Sequence, residues 1–189
     1  ETGGLLPDMI EEIDYDIVWA NDNRTIFYTT VDEAQRTDRL WRHALGTGRE
    51  EDVLVYHEPD TSFWVGISRT RSDEYLVMEL WKRTSSESWI LSADEPDGEF
   101  TLVEPRTPDM EYYLSHRGDE FFIRTNAGGR NFEVVKAPVD TPSREHWTSV
   151  IPHRDEVRVE QVLSFRDHLV VGEREKGLLQ ARIIDLEDG

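Results

Sequence analysis

The chain of 189 residues contains no cysteine. Disulfides, thiolate metal sites and cysteine nucleophiles are excluded at once, and the composition suits a reducing compartment, so a cytoplasmic location is expected. No run approaches the roughly 20 consecutive apolar residues that a membrane-spanning helix needs. The opening ETGGLLPDM lacks the charged-then-apolar order of a signal peptide. A membrane is therefore not an expected partner. Basic residues are scarce: 21 Lys and Arg stand against 40 Asp and Glu, a formal net charge of -19. Nucleic acid is a poor partner for such a surface, because its binding depends on cations that neutralise phosphates. Acidic charge most often serves solubility; its sharper use is to steer a cationic ligand, such as a basic peptide, toward the protein.

Helical periodicity is nearly absent as well. In its place stand short β-branched and aromatic runs broken by turn residues, which is the strand pattern. The runs recur in a fixed order. First strands read YDIVWA, FWVGISR, EYYLSH and RVEQVLS. Second strands read TIFYTTV at 25–31, EYLVMEL at 74–80, EFFIRT at 120–125 and HLVVGE at 168–173, preceded by the polar turns NDNR, TRSD, HRGD and FRD. Third strands begin at 40, 88, 132 and 179, in steps of 48, 44 and 47 residues. Fourth strands read DVLVY, FTLVE and WTSVI. Pro59, Pro105, Pro108 and Pro152 stand between units, where a residue without an N–H marks the exit from an outer strand.

Four short antiparallel strands every 40 to 50 residues is the signature of a β-propeller blade. A β-sandwich also uses many short strands, but it does not repeat in blocks of four. The expectation is an all-β, partial β-propeller in one domain spanning 1–189. Its blades lie at approximately 14–58, 62–106, 110–153 and 157–189, the last incomplete. Propellers close with ~4 to 8 blades, so the chain is expected to be a piece of a longer one. The alternative is that copies share strands as a homo-oligomer through open blade edges.

The search for chemistry assigns no catalytic, cofactor-binding or metal-binding residue. Gly66-Ile67-Ser68-Arg69-Thr70 lacks the second glycine of a serine elbow and has no helix after it. The histidines at 43, 57, 116, 146, 153 and 168 form no His-Glu-x-x-His or i, i+4 pair, and read as surface or satisfied residues. Glu11-Glu12 and Glu50-Glu51-Asp52 are selected by no spacing argument. Asn21-Asp22-Asn23 carries oxygen donors but is followed by Arg24 rather than further ligands. Asn23-Arg24-Thr25 is also a glycosylation sequon. The recurrence of polar turns at 71–73, 117–119 and 165–167 favours a structural turn over both readings. The glycine-bearing segment 126–131 and KRTSSES at 82–88 read as hairpin turns. Trp19 and Trp64, on first strands, read as core aromatics.

Four stretches taken together carry a family resemblance: WANDNRTIFY at 19–28, RLWRHALGT at 39–47, FWVGISRTRSDEYLV at 63–77 and RTNAGGRNFEVVKAP at 124–138. Their ordered series, running from about Asp8 to Gly189, resembles the propeller of the prolyl oligopeptidase family of serine peptidases, and within it the oligopeptidase B branch. The resemblance implies a seven-bladed propeller over an α/β-hydrolase domain that cuts short peptides, in that branch after Lys or Arg. The propeller restricts large folded substrates and shapes access to the site. The family's Gly-Gly-Ser-x-Gly-Gly elbow is not found in these 189 residues, nor are its Asp and His in matching context. No catalytic residue carries over, and the chain is expected to be inactive alone. Its expected partners are the α/β-hydrolase domain of the same parent chain and short basic peptides. The alternative reading is a stand-alone propeller-like module for protein interaction.

Overall fold

The computed structural model describes residues 3, 4, 6 and 8–186. Among them there is no α-helix; two 3-10 turns, Arg49–Glu51 and Arg144–His146, accompany fifteen strands. The first sheet takes β1 (Ile13–Trp19), β2 (Thr25–Val31), β3 (Thr37–Ala44) and β4 (Val53–His57) in that order. The second takes β5 (Trp64–Arg69), β6 (Tyr75–Lys82), β7 (Ser85–Ser92) and β8 (Thr101–Glu104). The third takes β9 (Tyr112–Arg117), β10 (Glu120–Thr125), β11 (Glu133–Pro138) and β12 (Thr148–Ile151). The fourth has three strands, β13 (Val157–Ser164), β14 (His168–Glu175) and β15 (Leu178–Asp185). Every sheet is a meander of sequence neighbours, the blade pattern of a partial β-propeller. Residues 187–189, the end of the expected fourth unit, lie outside the described residues.

The chain divides into two compact units. One comprises Glu1–Arg69, Asp73–Lys82 and Ile90–Thr101; the other comprises Thr70–Ser72, Arg83–Trp89 and Leu102–Gly189. The core of the first gathers Phe27, Leu40, Val65, Leu76 and Leu80, all fully or almost fully buried. Each such side chain contributes about 1.5–3 kcal/mol of apolar transfer free energy. Arg36 fixes the link from β4 to β5. Its buried guanidinium pairs with Asp32 at 2.9 Å and donates to the carbonyls of Phe63 (2.8 Å) and Asp60 (3.1 Å). One cation thus satisfies several backbone acceptors that Pro59 and the turn leave without ladder partners.

In the second unit Phe122, Phe132, Val134, Ile151, Val159, Leu169 and Val171 form a continuous buried cluster. β10 pairs without a bulge on both sides, Ile123 standing opposite Leu114 and Val135. The face of β15 is different: Leu178, Leu179 and Ile183 are each about two-thirds exposed.

Two expectations need correction. KRTSSES is not a turn from 82 to 88: β6 runs to Lys82, β7 starts at Ser85, and Ser85, Ser86, Glu87 and Ser88 are all buried. Burial is tolerated because these polar groups are bonded to the chain that follows, the Ser88 hydroxyl excepted. The Ser86 hydroxyl donates to the Tyr112 carbonyl (2.8 Å) and accepts from the Tyr112 N–H (2.7 Å). Ser85 accepts from the Asp109 N–H at 3.1 Å, and Glu87 accepts from the Arg106 N–H at 2.8 Å and from its guanidinium. Those partners hold the Glu87 carboxyl below its usual range although burial works against ionisation. The Tyr112 hydroxyl accepts from the Ser88 N–H (2.7 Å) and donates to the Glu104 carbonyl (2.6 Å). Burial raises its pKa.

Trp19 and Trp64 are not core aromatics either; they are 42% and 41% exposed. Alternation along β1 puts Trp19 on the same face as the exposed Ile13 and Ile17. Trp64 stands opposite Trp81 in the β5–β6 ladder, and Trp81 is itself 36% exposed.

Candidate functional site

The hairpin turns that open the first three sheets are built from residues that accept a left-handed backbone. Asn23, Asp73 and Gly118 have φ of 54°, 63° and 56°, a region that Asn, Asp and Gly enter at least cost. Asp22 locks the first turn. Its Oδ1 accepts from the N–H groups of Arg24 and Thr25, both at 2.9 Å, and its Oδ2 accepts from the Thr25 hydroxyl at 2.7 Å. These bonds hold the Asp22 carboxyl below its usual range against the opposing effect of burial. Asn21 reaches further, donating to the Asp73 carbonyl (3.0 Å) and to Asp94 Oδ1 (2.7 Å) and accepting from Arg69. The side-chain oxygens of Asn21 and Asp22 that a cation would need are already engaged. Among the described residues no group of three or more His, Asp or Glu is placed to hold a metal ion. The hydroxyl of the sequon's Thr25 is the one bound by Asp22.

The other residues singled out in the sequence fall in varied places. Ser68 lies exposed within β5, with a hairpin and not a helix after it. His43 is buried between two carboxylates, Asp52 at 2.7 Å and Asp8 at 3.3 Å, and Asp52 also accepts from the Tyr28 hydroxyl at 2.6 Å. The Gly46 N–H holds the Asp8 carboxyl below its usual range, with His43 adding to the effect. This network ties the segment around Asp8 to the first sheet. His116 is buried with its Nδ1 2.7 Å from the Ser72 hydroxyl. Ser72 sits in a hairpin turn, so the pair links a turn to β9 without the elbow that exposes a nucleophile. His57, His146 and His153 make contacts of 3.3 to 4.0 Å with Asp38, Glu145 and Asp155. His168 begins β14 with an exposed side chain. Among the acidic pairs, Glu11, Glu12 and Glu51 are exposed.

Sequence reasoning passed over one arrangement. Asp16 of β1 lies over β5: its Oδ2 is 3.4 Å from the Ile67 N–H and 2.9 Å from where a Gly66 Cβ would stand. Gly66 is paired with Glu79 of β6, and the ring of Trp81 comes within 2.6 Å of the same Cβ position. Residue 66 is glycine because any side chain there would occupy the space of both the ring and the carboxylate. Two carboxyls and an indole therefore converge over one glycine. Burial, with the Asp16 charge adding to it, raises the Glu79 pKa from 4.5 to about 7. Burial likewise raises that of Asp16. The only local signal was an acid interrupting the apolar run LVMELW.

Residues 1–189 match the family model described as the prolyl oligopeptidase N-terminal beta-propeller domain. The chain belongs to the prolyl oligopeptidase family. Among relatives of this family, the dipeptidyl aminopeptidase BI of Pseudoxanthomonas mexicana is 42% identical over 97% of this chain and 26% of its own length. Protease 2 of Moraxella lacunata is 33% identical over 97% of this chain and 26% of its own. Among solved structures, oligopeptidase B from Trypanosoma brucei with covalently bound antipain superposes with a TM-score of 0.90 at 28% identity. It covers 96% of this chain and 26% of that one. Oligopeptidase B from Leishmania major gives 0.89 at 27% identity, over 97% and 26%. The chain thus spans about a quarter of the family members it matches, and its sheets correspond to part of their propeller.

Proposed function

We propose that this chain is the non-catalytic propeller segment of an oligopeptidase B-like serine peptidase. In this reading it limits and steers the access of short basic peptides to an α/β-hydrolase domain elsewhere in the same cytoplasmic protein. Membership of the propeller family over the whole chain carries the reading. The net charge of -19 supports the preference for cations. The 189 residues act as one partial domain with blades at approximately 14–58, 62–106, 110–153 and 157–189. The exposed Leu178, Leu179 and Ile183 of β15 are the edge through which isolated copies would associate.

The test is made on the full-length protein that contains this chain. Its kcat/KM for peptides ending in Lys or Arg should exceed that for neutral analogues, and should fall as salt rises and screens the field. The 189 residues alone should cleave nothing. A salt-independent kcat/KM for basic peptides removes the steering role. A full-length protein without peptidase activity leaves the interaction module as the better reading.

A further inference from the structure

We propose that Asp16, Glu79 and Trp81 form a recess that takes the guanidinium or ammonium group of a basic side chain, beside the Trp81 ring where that ring covers Gly66. The ring of Trp81 and Asp16 Oδ2 lie 2.6 and 2.9 Å from one point, the Gly66 Cβ position, so they are no more than 5.5 Å apart. Glu79 enters from the same side, because directly paired residues of an antiparallel ladder share a face. The Glu79 carboxyl is set deep in the protein, yet the residue keeps some solvent contact, as at the bottom of an open crevice. It makes no hydrogen bond or ion pair with any described residue.

No cation on the surrounding strands is free to neutralise the pair. On β5, Arg69 is engaged with Asp73, Asn21 and the Trp19 carbonyl. On β6, Lys82 stands over the Phe63 ring. On β3, Arg39 pairs with Asp38, Arg42 pairs with Asp97, and His43 is held by Asp8 and Asp52. β2 carries no charge, and β1 adds only a further acid, Asp14. Two carboxylates beside an exposed indole are what a planar organic cation needs: charge-assisted hydrogen bonds from its edge and a π-face for its plane. Trp64, exposed and across from Trp81, lengthens the aromatic wall along the aliphatic stem of such a side chain. The recess rests on the reading above only for the source of the cation, a basic peptide; its chemistry stands on these residues.

The experiment uses the full-length protein with its serine nucleophile blocked by diisopropyl fluorophosphate and its tryptophans replaced by 5-fluorotryptophan. The probe is acetyl-arginine-amide, and acetyl-citrulline-amide is the neutral control of the same shape. The 19F signal lost in Trp81→Phe should shift saturably with the arginine probe and not with the citrulline one. Asp16→Asn and Glu79→Gln should each weaken the arginine response about tenfold or more. Glu79→Gln keeps the neutral state that burial already favours, so this variant folds whether or not the recess binds anything. Equal responses to both probes, no response, or full arginine binding in the two variants each overturn the proposal. Cleavage of Arg-ended peptides by the unblocked protein is measured alongside. Cleavage without arginine-selective binding here sinks the recess alone. Binding without cleavage sinks the peptidase reading alone.

Discussion

Glu79 makes the β5–β6 hairpin sensitive to pH, and the size of the effect follows from its surroundings. Burial and the neighbouring Asp16 lift its pKa from 4.5 to about 7. The folded chain holds this proton to a higher pH than the unfolded chain does. Stability contributed by the neutral carboxyl is therefore lost as pH rises from about 4.5 to about 7, and the full cost of ionisation is present above that window. At about 1.4 kcal/mol per pKa unit the cost comes to about 3.5 kcal/mol, and the solvent contact that Glu79 keeps lowers it to ~1.5–3 kcal/mol. Glu79→Gln cannot ionise, so it removes this cost above pH 7 and changes little at pH 4. Amide hydrogen exchange over residues 64–82 reads local opening directly. Comparing variant with wild type at one pH cancels the intrinsic rate. Exchange in Glu79→Gln should be slower by roughly ten- to a hundredfold at pH 8, and equal to wild type at pH 4. The same protection ratio at both pH values would refute the assignment of the proton to Glu79. Faster exchange at pH 8 would refute the claim that ionisation is the costly state.

Three further outcomes follow from packing and hydrogen bonding. Tyr112→Phe leaves the buried Ser88 N–H without its 2.7 Å acceptor and should cost about 1–3 kcal/mol, read as a lower urea midpoint for the full-length protein. Gly66→Ala brings a methyl to 2.6 Å from the Trp81 ring and 2.9 Å from Asp16. It should destabilise by about 1–3 kcal/mol and move the Trp81 19F signal even without ligand. Asn23→Val forces a β-branched residue to φ 54° and should cost about 1–3 kcal/mol in the same denaturation assay, whereas Asn23→Gly should be tolerated.

The fold was legible because strand and turn chemistry are local. TIFYTTV at 25–31 coincides with β2, and its flanking Asn, Asp and Thr announce the turn that the backbone makes. β7 was not legible at its start. Ser85 to Ser88 look like punctuation, and what anchors Ser86 and Ser88 in the strand is the main chain and hydroxyl of Tyr112, 26 and 24 positions away. Trp19 and Trp64 were misjudged for a related reason: aromatic character signals burial only when another layer lies against that face. The Asp16–Glu79 recess depends on two strands far apart in sequence, and on a glycine whose role is the space it leaves.

The reach of Asn21 has a consequence for how such propellers can be rebuilt. Its amide bonds to the Asp73 carbonyl of the next hairpin and to Asp94 beyond β7, so the first blade's turn is completed by atoms of the second. A blade excised at its proline links and grafted elsewhere would carry its own ladder but not these anchors. Exchange of modules among propellers should therefore succeed when the cut follows the inner turns, keeping each turn with the neighbour that receives it. Cuts at the repeat boundaries that the sequence advertises should be the poorer choice.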